Sequence, residues 1–387
     1  MNRPLRIAML AHSTNPRGGV VHALQLSEAL ADYGHEVVLH APDVSGKGFF
    51  RAARCLLKPF PVASAPQDMT DMVVQRIEDY VRYFEGAGTS GFDLFHAHDG
   101  ISGNALAVLK ARGRISGFVR TVHHVDNFTD PRLNLLQARS IDQADSLFTV
   151  SEYWRTWFRE RGRETVNVGN GVDTGRFSPD RDESDLRLAQ RLTRGTGPVF
   201  LAVGGVEKRK NTLSILRAFA QVLAVRPDAR LRIAGGVSLL DHSVYQAEFS
   251  AELTASPRLA GAVTLLGGVA DMDMPALFRS ADALVFPSLV EGFGLVVLEA
   301  MASHVPVVLS SVLPFTDYVP PEAAVWCDPR RPSSIADAML TVLSSSVTRT
   351  CVDAGRAVVD RHDWRSVAMA HLPAYHAFVD SKEIAHA

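Results

Sequence analysis

Short apolar runs and turn-rich segments alternate along the first part of the chain in the order typical of an α/β protein. Residues 5–10 form an apolar run that predicts a strand, and turn residues follow at 13–19. Residues 20–33 have the apolar spacing of an amphipathic helix, and residues 36–40 predict a second strand. A strand, a helix and a further strand make the basic unit of a parallel sheet.

The second half of the chain repeats this plan about 195 residues later. Residues 199–203 predict a strand, 204–210 a loop of glycines and cations, 212–225 a helix and 230–234 a strand. With 387 residues, 47% of them hydrophobic, the chain is too long for one ordinary core. We therefore expect an α/β fold of two Rossmann-like, doubly wound domains that face each other across a cleft. Ligands would bind at the carboxyl ends of the strands.

Turn residues and charge indicate where one domain passes into the next. Residues 170–180 contain the tract NGVDTGRFSP and lead into a charged segment, so we place the linker there. The predicted domains are 1–172 and 173–363, and residues 364–379 have the spacing of a final helix. Further strands are predicted at 93–97, 117–122 and 146–150.

Two carboxylates flank a glycine-rich helix start in the segment 283–310. A buried strand at 283–286 is followed by the loop Glu291-Gly292-Phe293-Gly294, a helix at 295–302 and another strand at 305–309. Glu299, eight residues after Glu291, is predicted to lie two turns into that helix. A helix N-terminus suits phosphate, and carboxylates accept hydrogen bonds from sugar hydroxyls. The alternative is a loop glutamate followed by a solvated helical one.

The order E-G-F-G-L, a second Glu, A-M-A and a P-V-V strand resembles the donor-site signature of a known enzyme family. That family is the retaining glycosyltransferases of family 4, among the glycosyl transferases group 1, which have the GT-B fold. The resemblance extends over nearly the whole chain through Gly18-Gly19, Asn170-Gly171-Val172-Asp173, Lys210-Asn211 and Ala281-Asp282. It also implies that the last helix, about residues 364–387, crosses back onto the first domain.

The resemblance implies a role for each residue of the signature. Glu299 would accept hydrogen bonds from the ribose hydroxyls, and Glu291 would act at the hydroxyls of the donor sugar. The backbone N–H groups of the loop would contact sugar or phosphate, since glycine lets the backbone approach closely. The residues assigned to donor binding in this way are Gly292, Phe293 and Gly294, together with Gly18 and Gly19 near the start of the chain.

A run of cations is the predicted phosphate site. Lys208, Arg209 and Lys210 follow a strand, and Lys210 corresponds to the phosphate lysine of the family. Many family members carry Arg directly after the strand-end glycine, where this chain has Gly205. Either one phosphate cation is missing or Arg209 replaces it. A charge run on a solvated face is the alternative.

Histidines and aspartates at further strand ends complete the candidate site. The resemblance places a His near the donor sugar, and His123 fits that position best, with His124 as its rival. His123 is therefore predicted to be catalytic together with Glu291. Asp99 and Asp126 are weaker candidates that would order the site or bind acceptor, unless each is simply a loop or cap residue.

Composition excludes several classes of partner. A net charge of −2 leaves no electrostatic footprint for nucleic acid. Three scattered cysteines make neither a disulfide framework nor a zinc site, which favours the cytoplasm. We expect no bound metal and no cofactor, and neither a signal peptide nor a membrane span. The basic and apolar cluster between residues 49 and 60 would be a weak peripheral contact with the inner face of a membrane, or a solvated face of the first domain.

We therefore expect a metal-independent, retaining glycosyltransferase that moves a hexosyl group from a UDP- or GDP-type nucleotide sugar to a hydroxyl acceptor. The acceptor, which could be a small molecule, a glycan or a lipid-linked sugar, and the oligomeric state stay open. A nucleotide-sugar epimerase or hydrolase of the same fold is the main alternative. A non-catalytic sensor of nucleotide sugars also stays open, whereas the loop PRGGVVH differs from the G-x-G-x-x-G of Rossmann oxidoreductases.

Overall fold

A computed structural model describes residues 3–192, 195–236 and 243–386, without the side chains of 383–386. The chain forms two compact units. Unit 1 consists of Met1–Asn170 and Trp364–Ala387, and unit 2 of Gly171–Asp363. The first boundary therefore lies two residues before the one drawn from the sequence, and the second lies at the same residue.

Unit 1 contains a seven-stranded, wholly parallel sheet. Its strands have the spatial order β3-β2-β1-β4-β5-β6-β7. Because β1 pairs with both β2 and β4, the strand order reverses beside β1, and this is where doubly wound sheets bind ligands. The strands are β1 Arg6–Leu10, β2 Glu36–Asp43, β3 Leu56–Pro61, β4 Leu94–Ala97, β5 Val119–Val122, β6 Ser146–Thr149 and β7 Val166–Asn167.

Helices are interleaved with the strands of this sheet along the chain. The helices of unit 1 are α1 Gly18–Asp32, α2 Met69–Ala87, α3 Gly100–Ala111, α4 Pro131–Asp142, α5 Glu152–Arg159 and α15 Trp364–His386. The last of these belongs to unit 1 although the chain reaches it only after unit 2. It is attached there by Tyr375, whose hydroxyl lies 2.7 Å from Nδ1 of His96 on β4.

Unit 2 contains a six-stranded parallel sheet with the order β10-β9-β8-β11-β12-β13. The strand order reverses beside β8, which pairs with β9 and β11. The strands are β8 Val199–Val203, β9 Arg230–Ala234, β10 Val263–Gly267, β11 Ala283–Phe286, β12 Val307–Ser310 and β13 Val325–Cys327. The helices are α6 Glu183–Arg191, α7 Thr212–Val225, α8 Ser243–Ala255, α9 Pro257–Ala262, α10 Met274–Arg279, α11 Leu295–Ala302, α12 Phe315–Tyr318, α13 Pro332–Thr341 and α14 Ser345–Val359.

The predicted elements around the signature have the observed bounds, except for the strand after it. Strands β8, β9 and β11 and helices α7 and α11 begin and end at the predicted residues. The strand predicted at 305–309 is β12, which begins only at Val307. Val305 instead donates its backbone N–H to the carbonyl of Ala300 and closes the end of α11. The prediction missed β3, β7, β10 and β13, which are the edge strands of the two sheets.

The described residues include no helix that is both long and apolar enough to span a membrane.

Candidate functional site

In unit 2, the loops after β8 and β11 meet at the point where the strand order reverses. The backbone N–H of Leu289 donates to the carbonyl of Arg209 at 2.9 Å. Asn211, the residue before α7, lies in the left-handed region at φ 61° and donates through its side-chain amide to the carbonyls of Pro287 and Pro329. Asn211 therefore holds three strand ends together at this edge.

The sequence-predicted cations and the first glutamate of the signature form one ion-pair cluster. Nζ of Lys210 lies 2.7 Å from Oε1 of Glu291, and a guanidinium nitrogen of Arg209 lies 2.9 Å from the same oxygen. The Glu291 side chain is only 7% exposed, so its charge is balanced where little water reaches it. The structure thus brings Glu291 into contact with two adjacent cations that precede it by some 80 positions.

Lys210 is held by an apolar support as well as by its ion pair. Its ammonium group lies 4.5 Å from the ring centroid of Phe286, the last residue of β11. Burial lowers the pKa of Lys210, whereas the neighbouring Glu291 carboxylate opposes that shift. A Cβ at Gly204 would lie 2.8 Å from Cγ and Cε of Lys210, so this glycine leaves room for the lysine stem. The geometry presents a fixed cation at the end of β8.

Gly205, where many family members carry Arg, has a backbone conformation that suits glycine. Its φ is +76°, and an added Cβ would lie 3.0 Å from the carbonyl oxygen of Gly236. An arginine here would carry backbone strain. Arg209 is the second cation that contacts Glu291 here, and its replacement of the family arginine stays a prediction.

Helix α11 begins at Leu295, directly after the glycine loop of the signature. Its first turn contains no acidic residue, and Gly294 precedes it with φ 96°. A Cβ at Gly294 would meet the Phe315 ring at 2.8 Å. Phe293 stacks on Tyr318 at 4.2 Å between ring centroids, and the Tyr318 hydroxyl donates to the Phe293 carbonyl at 3.0 Å. These contacts fix the loop before the helix.

Glu299 lies on α11 and is partly exposed, but it sits less deep in the helix than predicted. The helix begins at Leu295, so Glu299 is its fifth residue and lies in the second turn. Its assignment to the ribose stays a prediction. The assignments of Gly292, Phe293 and Gly294 to sugar or phosphate stay predictions as well.

In unit 1, the candidate residues lie around the point where the strand order reverses beside β1. His123 follows β5, and its ring approaches the start of α1 so closely that a Cβ at Gly19 would lie 3.3 Å from Cδ2 of His123. Nothing lies within 4 Å of a Cβ at Gly18, the first residue of α1. Burial lowers the pKa of His123 well below its usual range, so the ring is neutral near pH 7.

The remaining candidates have local partners in unit 1. Nε2 of His124 lies 3.0 Å from the Asp126 carboxylate, so the two form a pair. Asp99 caps α3 by accepting the backbone N–H of Ser102 at 2.8 Å, and His12 lies 3.8 Å from its other oxygen. The cap interpretation of Asp99 thus agrees with the structure, while His12 is a neighbour that the sequence analysis did not name.

The basic cluster between residues 49 and 60 does not form one continuous face. Phe60 is buried in the core of unit 1. Arg51 and Arg54 form ion pairs with Glu28, and Arg54 also pairs with Asp32, both acids on α1. These contacts reduce the positive charge that the segment presents to a membrane.

Sequence reasoning also missed a group of buried histidines beneath His123. They are His22 on α1, His96 on β4, His98 immediately after β4 and His371 on α15. The pattern HAHD at residues 96–99 was the available signal for two of them, but only its aspartate was singled out. Across residues 3–192, 195–236 and 243–386, no group of three or more His, Cys, Asp or Glu side chains is arranged to hold a metal ion.

Two family models match the chain. Residues 16–176 match the model described as Glycosyltransferase Family 4, and residues 185–357 match Glycosyl transferases group 1. A phosphatidyl-myo-inositol mannosyltransferase of Mycobacterium tuberculosis is 28% identical, covering 97% of this chain and 98% of its own. An uncharacterized glycosyltransferase of Methanocaldococcus jannaschii is 25% identical over 96% and 98%.

Solved structures share the fold at lower identity. Sucrose-phosphate synthase from Thermosynechococcus elongatus superposes with a TM-score of 0.79 at 21% identity, covering 97% of this chain and 100% of that one. HepE of Anabaena in complex with UDP-glucose gives 0.75 at 18% identity over 96% and 100%. The two parallel sheets with interleaved helices therefore have the GT-B fold.

Proposed function

The chain belongs to family 4 of the glycosyltransferases, and from this premise we propose that it transfers a hexosyl group, with retention, from a UDP- or GDP-type nucleotide sugar to a hydroxyl acceptor. The observation that carries the proposal is the cluster of Lys210, Arg209 and Glu291 beside the N-terminus of α11. It supplies two cations and a carboxylate at one sheet edge, next to the start of a helix. A sugar joined to a diphosphate needs these groups.

The departing diphosphate is the first chemical requirement. Negative charge grows on the leaving phosphate as the glycosidic bond breaks, and cations that are already in place stabilise that transition state. In our proposal Lys210 and Arg209 supply this positive charge. The positive end of the α11 helix dipole adds to it. Catalysis would then proceed without a bound metal.

The donor sugar and nucleoside are the second requirement. Glu291 accepts hydrogen bonds from hydroxyls of the sugar, which would place the sugar next to the cations that hold its phosphate. Glu299, one turn beyond the helix start, accepts from the ribose hydroxyls. Both roles rest on the family resemblance together with the partly or fully buried positions of these side chains.

His123 completes the proposed mechanism as a neutral hydrogen-bonding group. Because burial holds its pKa well below 6.5, it does not carry a proton for general acid catalysis at neutral pH. We assign it to a hydroxyl of the donor sugar. Its variants should therefore lower turnover more than the affinity for nucleoside diphosphate.

Two relatives bear on the choice of substrates. HepE of Anabaena was solved with UDP-glucose, and the Mycobacterium tuberculosis relative is named for transfer of mannose to phosphatidyl-myo-inositol. Both fit a nucleotide hexose as donor, and they leave UDP and GDP as the bases to compare. A cytoplasmic location, near a membrane if the acceptor is a lipid, is part of the same proposal.

A donor and acceptor screen tests the function. The purified protein is incubated with UDP-glucose, UDP-galactose, UDP-N-acetylglucosamine and GDP-mannose, and released nucleoside diphosphate is measured with and without candidate acceptors. Acceptor-dependent release supports a transferase, and proton NMR of the first product must then show the anomeric configuration of the donor. Release at equal rates without any acceptor would instead identify a hydrolase, and donor isomerisation without release would identify an epimerase.

A further inference from the structure

His22 is a residue of α1 without an assigned role. Its ring contacts His123 and also Asn170 and Trp364, the residues of unit 1 at which the chain leaves and re-enters that unit. Its side chain is 0% exposed. Its ring centroid lies 4.8 Å from that of His123 in an edge-to-face contact. Asn170, the last residue before unit 2, and Trp364, the first after it, both contact the same ring.

The contact with Asn170 determines how the His22 ring is oriented. Nδ1 of His22 lies 2.6 Å from Oδ1 of Asn170, and both residues are buried. An amide oxygen only accepts, so Nδ1 is the donor and carries the ring proton. A ring rotated by 180° would place a carbon opposite Asn170 and leave a buried acceptor without a donor, which is costly. The hydrogen bond therefore selects one orientation and one tautomer.

His123, in contrast, depends on packing for its orientation. Its Nε2 is buried and has no hydrogen-bond partner among the residues that the structure describes. Its ring is bounded by Gly19, by His22 at 4.8 Å and by His98 at 5.7 Å between ring centroids. Whatever fixes the His22 ring thus also limits where the His123 ring can lie.

We propose that His22 is a positioning residue for His123, held in place by its hydrogen bond to Asn170. The inference rests on the proposed function, since it takes His123 to act on the donor sugar. It adds that the segment joining the two units bears on the orientation of His123 through Asn170 and His22. Trp364, 5.2 Å from His22 at the second crossing, supports the ring from another side.

A double-mutant cycle tests whether His22 acts through His123. His22→Phe keeps an aromatic ring but removes the hydrogen bond, and we expect it to lower kcat about tenfold while the donor KM changes less than about twofold. In the His123→Ala background the same substitution should cause no further loss. Equal tenfold losses in both backgrounds, or no loss in the wild-type background, would overturn the proposal.

Two further variants separate positioning from a general effect on folding. Asn170→Leu removes the acceptor and leaves His22 intact, so it should reproduce the kcat loss and serves also if His22→Phe does not fold. His371→Phe is the matched control. It is equally buried and its ring lies 6.4 Å from His22, but its ring contacts are with His22, His96, Phe148 and Tyr375 and not with His123. It should leave kcat unchanged. A tenfold loss in this control would count against a specific effect of Asn170 on His123 through His22.

An NMR experiment distinguishes failure of this inference from failure of the proposed function. With 15N-labelled histidine, we expect His22 to show a protonated Nδ1 in the wild-type protein. In Asn170→Leu the ring signals of His123 should shift, while those of His40, which is bonded to Tyr83, should not. Unshifted His123 signals would refute the positioning role even if the enzyme is active. Shifted signals in a protein that turns over no nucleotide sugar would refute only the function.

Discussion

Mild acid should destabilise unit 1 because its core contains histidines that are buried in the neutral form. Burial lowers the pKa of His22 to about 4, and that of His40 and of His371 to about 3, from 6.5. His96, His98 and His123 are shifted in the same direction. The perturbation that we consider is a change from pH 7 to pH 5.

The direction follows from proton uptake by the unfolded chain. Below pH 6.5 an unfolded histidine binds a proton, whereas the folded one stays neutral until the pH approaches 4 or 3. Stability is therefore complete above the unfolded pKa and falls as the pH drops from 6.5 toward the folded pKa. Each such group costs about 2 kcal/mol between pH 7 and pH 5, since one pKa unit corresponds to about 1.4 kcal/mol.

The sum over these histidines is large enough to matter. His22, His40 and His371 alone give about 6 kcal/mol, compared with about 5–15 kcal/mol for the total stability of a typical protein. Carboxylates affect stability in a lower pH range. Asp99 has a pKa below 3.8, so the stability that its ionised form contributes is still present at pH 5.

Tryptophan fluorescence during urea unfolding can follow unit 1. Three of the four tryptophans, Trp154, Trp157 and Trp364, belong to unit 1, and a Trp326→Phe background removes the fourth. In that background His371→Phe should reduce the loss of stability between pH 7 and pH 5 by about 2 kcal/mol. The hydrogen bond from Nδ1 of His371 to the Val367 carbonyl is lost at both pH values and cancels in the comparison.

The outcome that refutes this reasoning is a pH-dependent loss in His371→Phe as large as that in its parent. It would mean that His371 takes up no extra proton on unfolding, and so is not held neutral by burial. A loss confined to pH values below 4 in the parent protein would likewise assign the acid sensitivity to carboxylates instead of histidines.

Four further predictions concern the proposed donor site in unit 2. Glu299→Ala should weaken nucleoside diphosphate binding by about 10- to 150-fold in calorimetry with the fold intact, and unchanged affinity would remove Glu299 from the site. Arg209→Ala and Lys210→Ala should each lower kcat/KM strongly; near wild-type activity of the arginine variant alone would show that Lys210 suffices. Gly205→Arg should not rescue Arg209→Ala and should lower the melting temperature, because left-handed backbone costs a residue with a Cβ about 1–2 kcal/mol. Activity should survive excess chelator, and rescue by manganese after its loss would contradict metal independence.

The order of apolar runs and turn residues was sufficient to predict the fold class and the main strands of both units. Strands buried on both faces read as continuous apolar runs, so β8 and β11 could be recognised without any partner. Strand β9 instead alternates Arg230 and Arg232 with apolar residues, a pattern that also predicts a strand. The signature from Glu291 to Glu299 is likewise local, because a strand, a loop and a helix place its residues in sequence. These features depend on short-range spacing, which the one-dimensional pattern contains.

Other features depend on which strands become neighbours. The pairing of Glu291 with Lys210 and Arg209 arises because β8 lies beside β11, so two loops some 80 residues apart end at the same sheet edge. The sequence showed that Gly205 departs from the Arg of many family members, but only the structure shows that the backbone there has a positive φ, which strains any residue with a Cβ.

The group of buried histidines shows most clearly the difference between features that the local sequence predicts and features that depend on tertiary packing. Only His96 and His98 lie close together in the sequence, whereas His22, His123 and His371 are far from them and from each other, and a histidine within an apolar helix or strand resembles any other buried residue. Parallel pairing of β1, β4 and β5, together with the return of α15 to unit 1, brings their rings within contact. Apolar periodicity therefore determined which elements form, whereas the burial, tautomer and neighbours of each imidazole were decided only by tertiary packing, since these depend on distances between elements that no local pattern encodes.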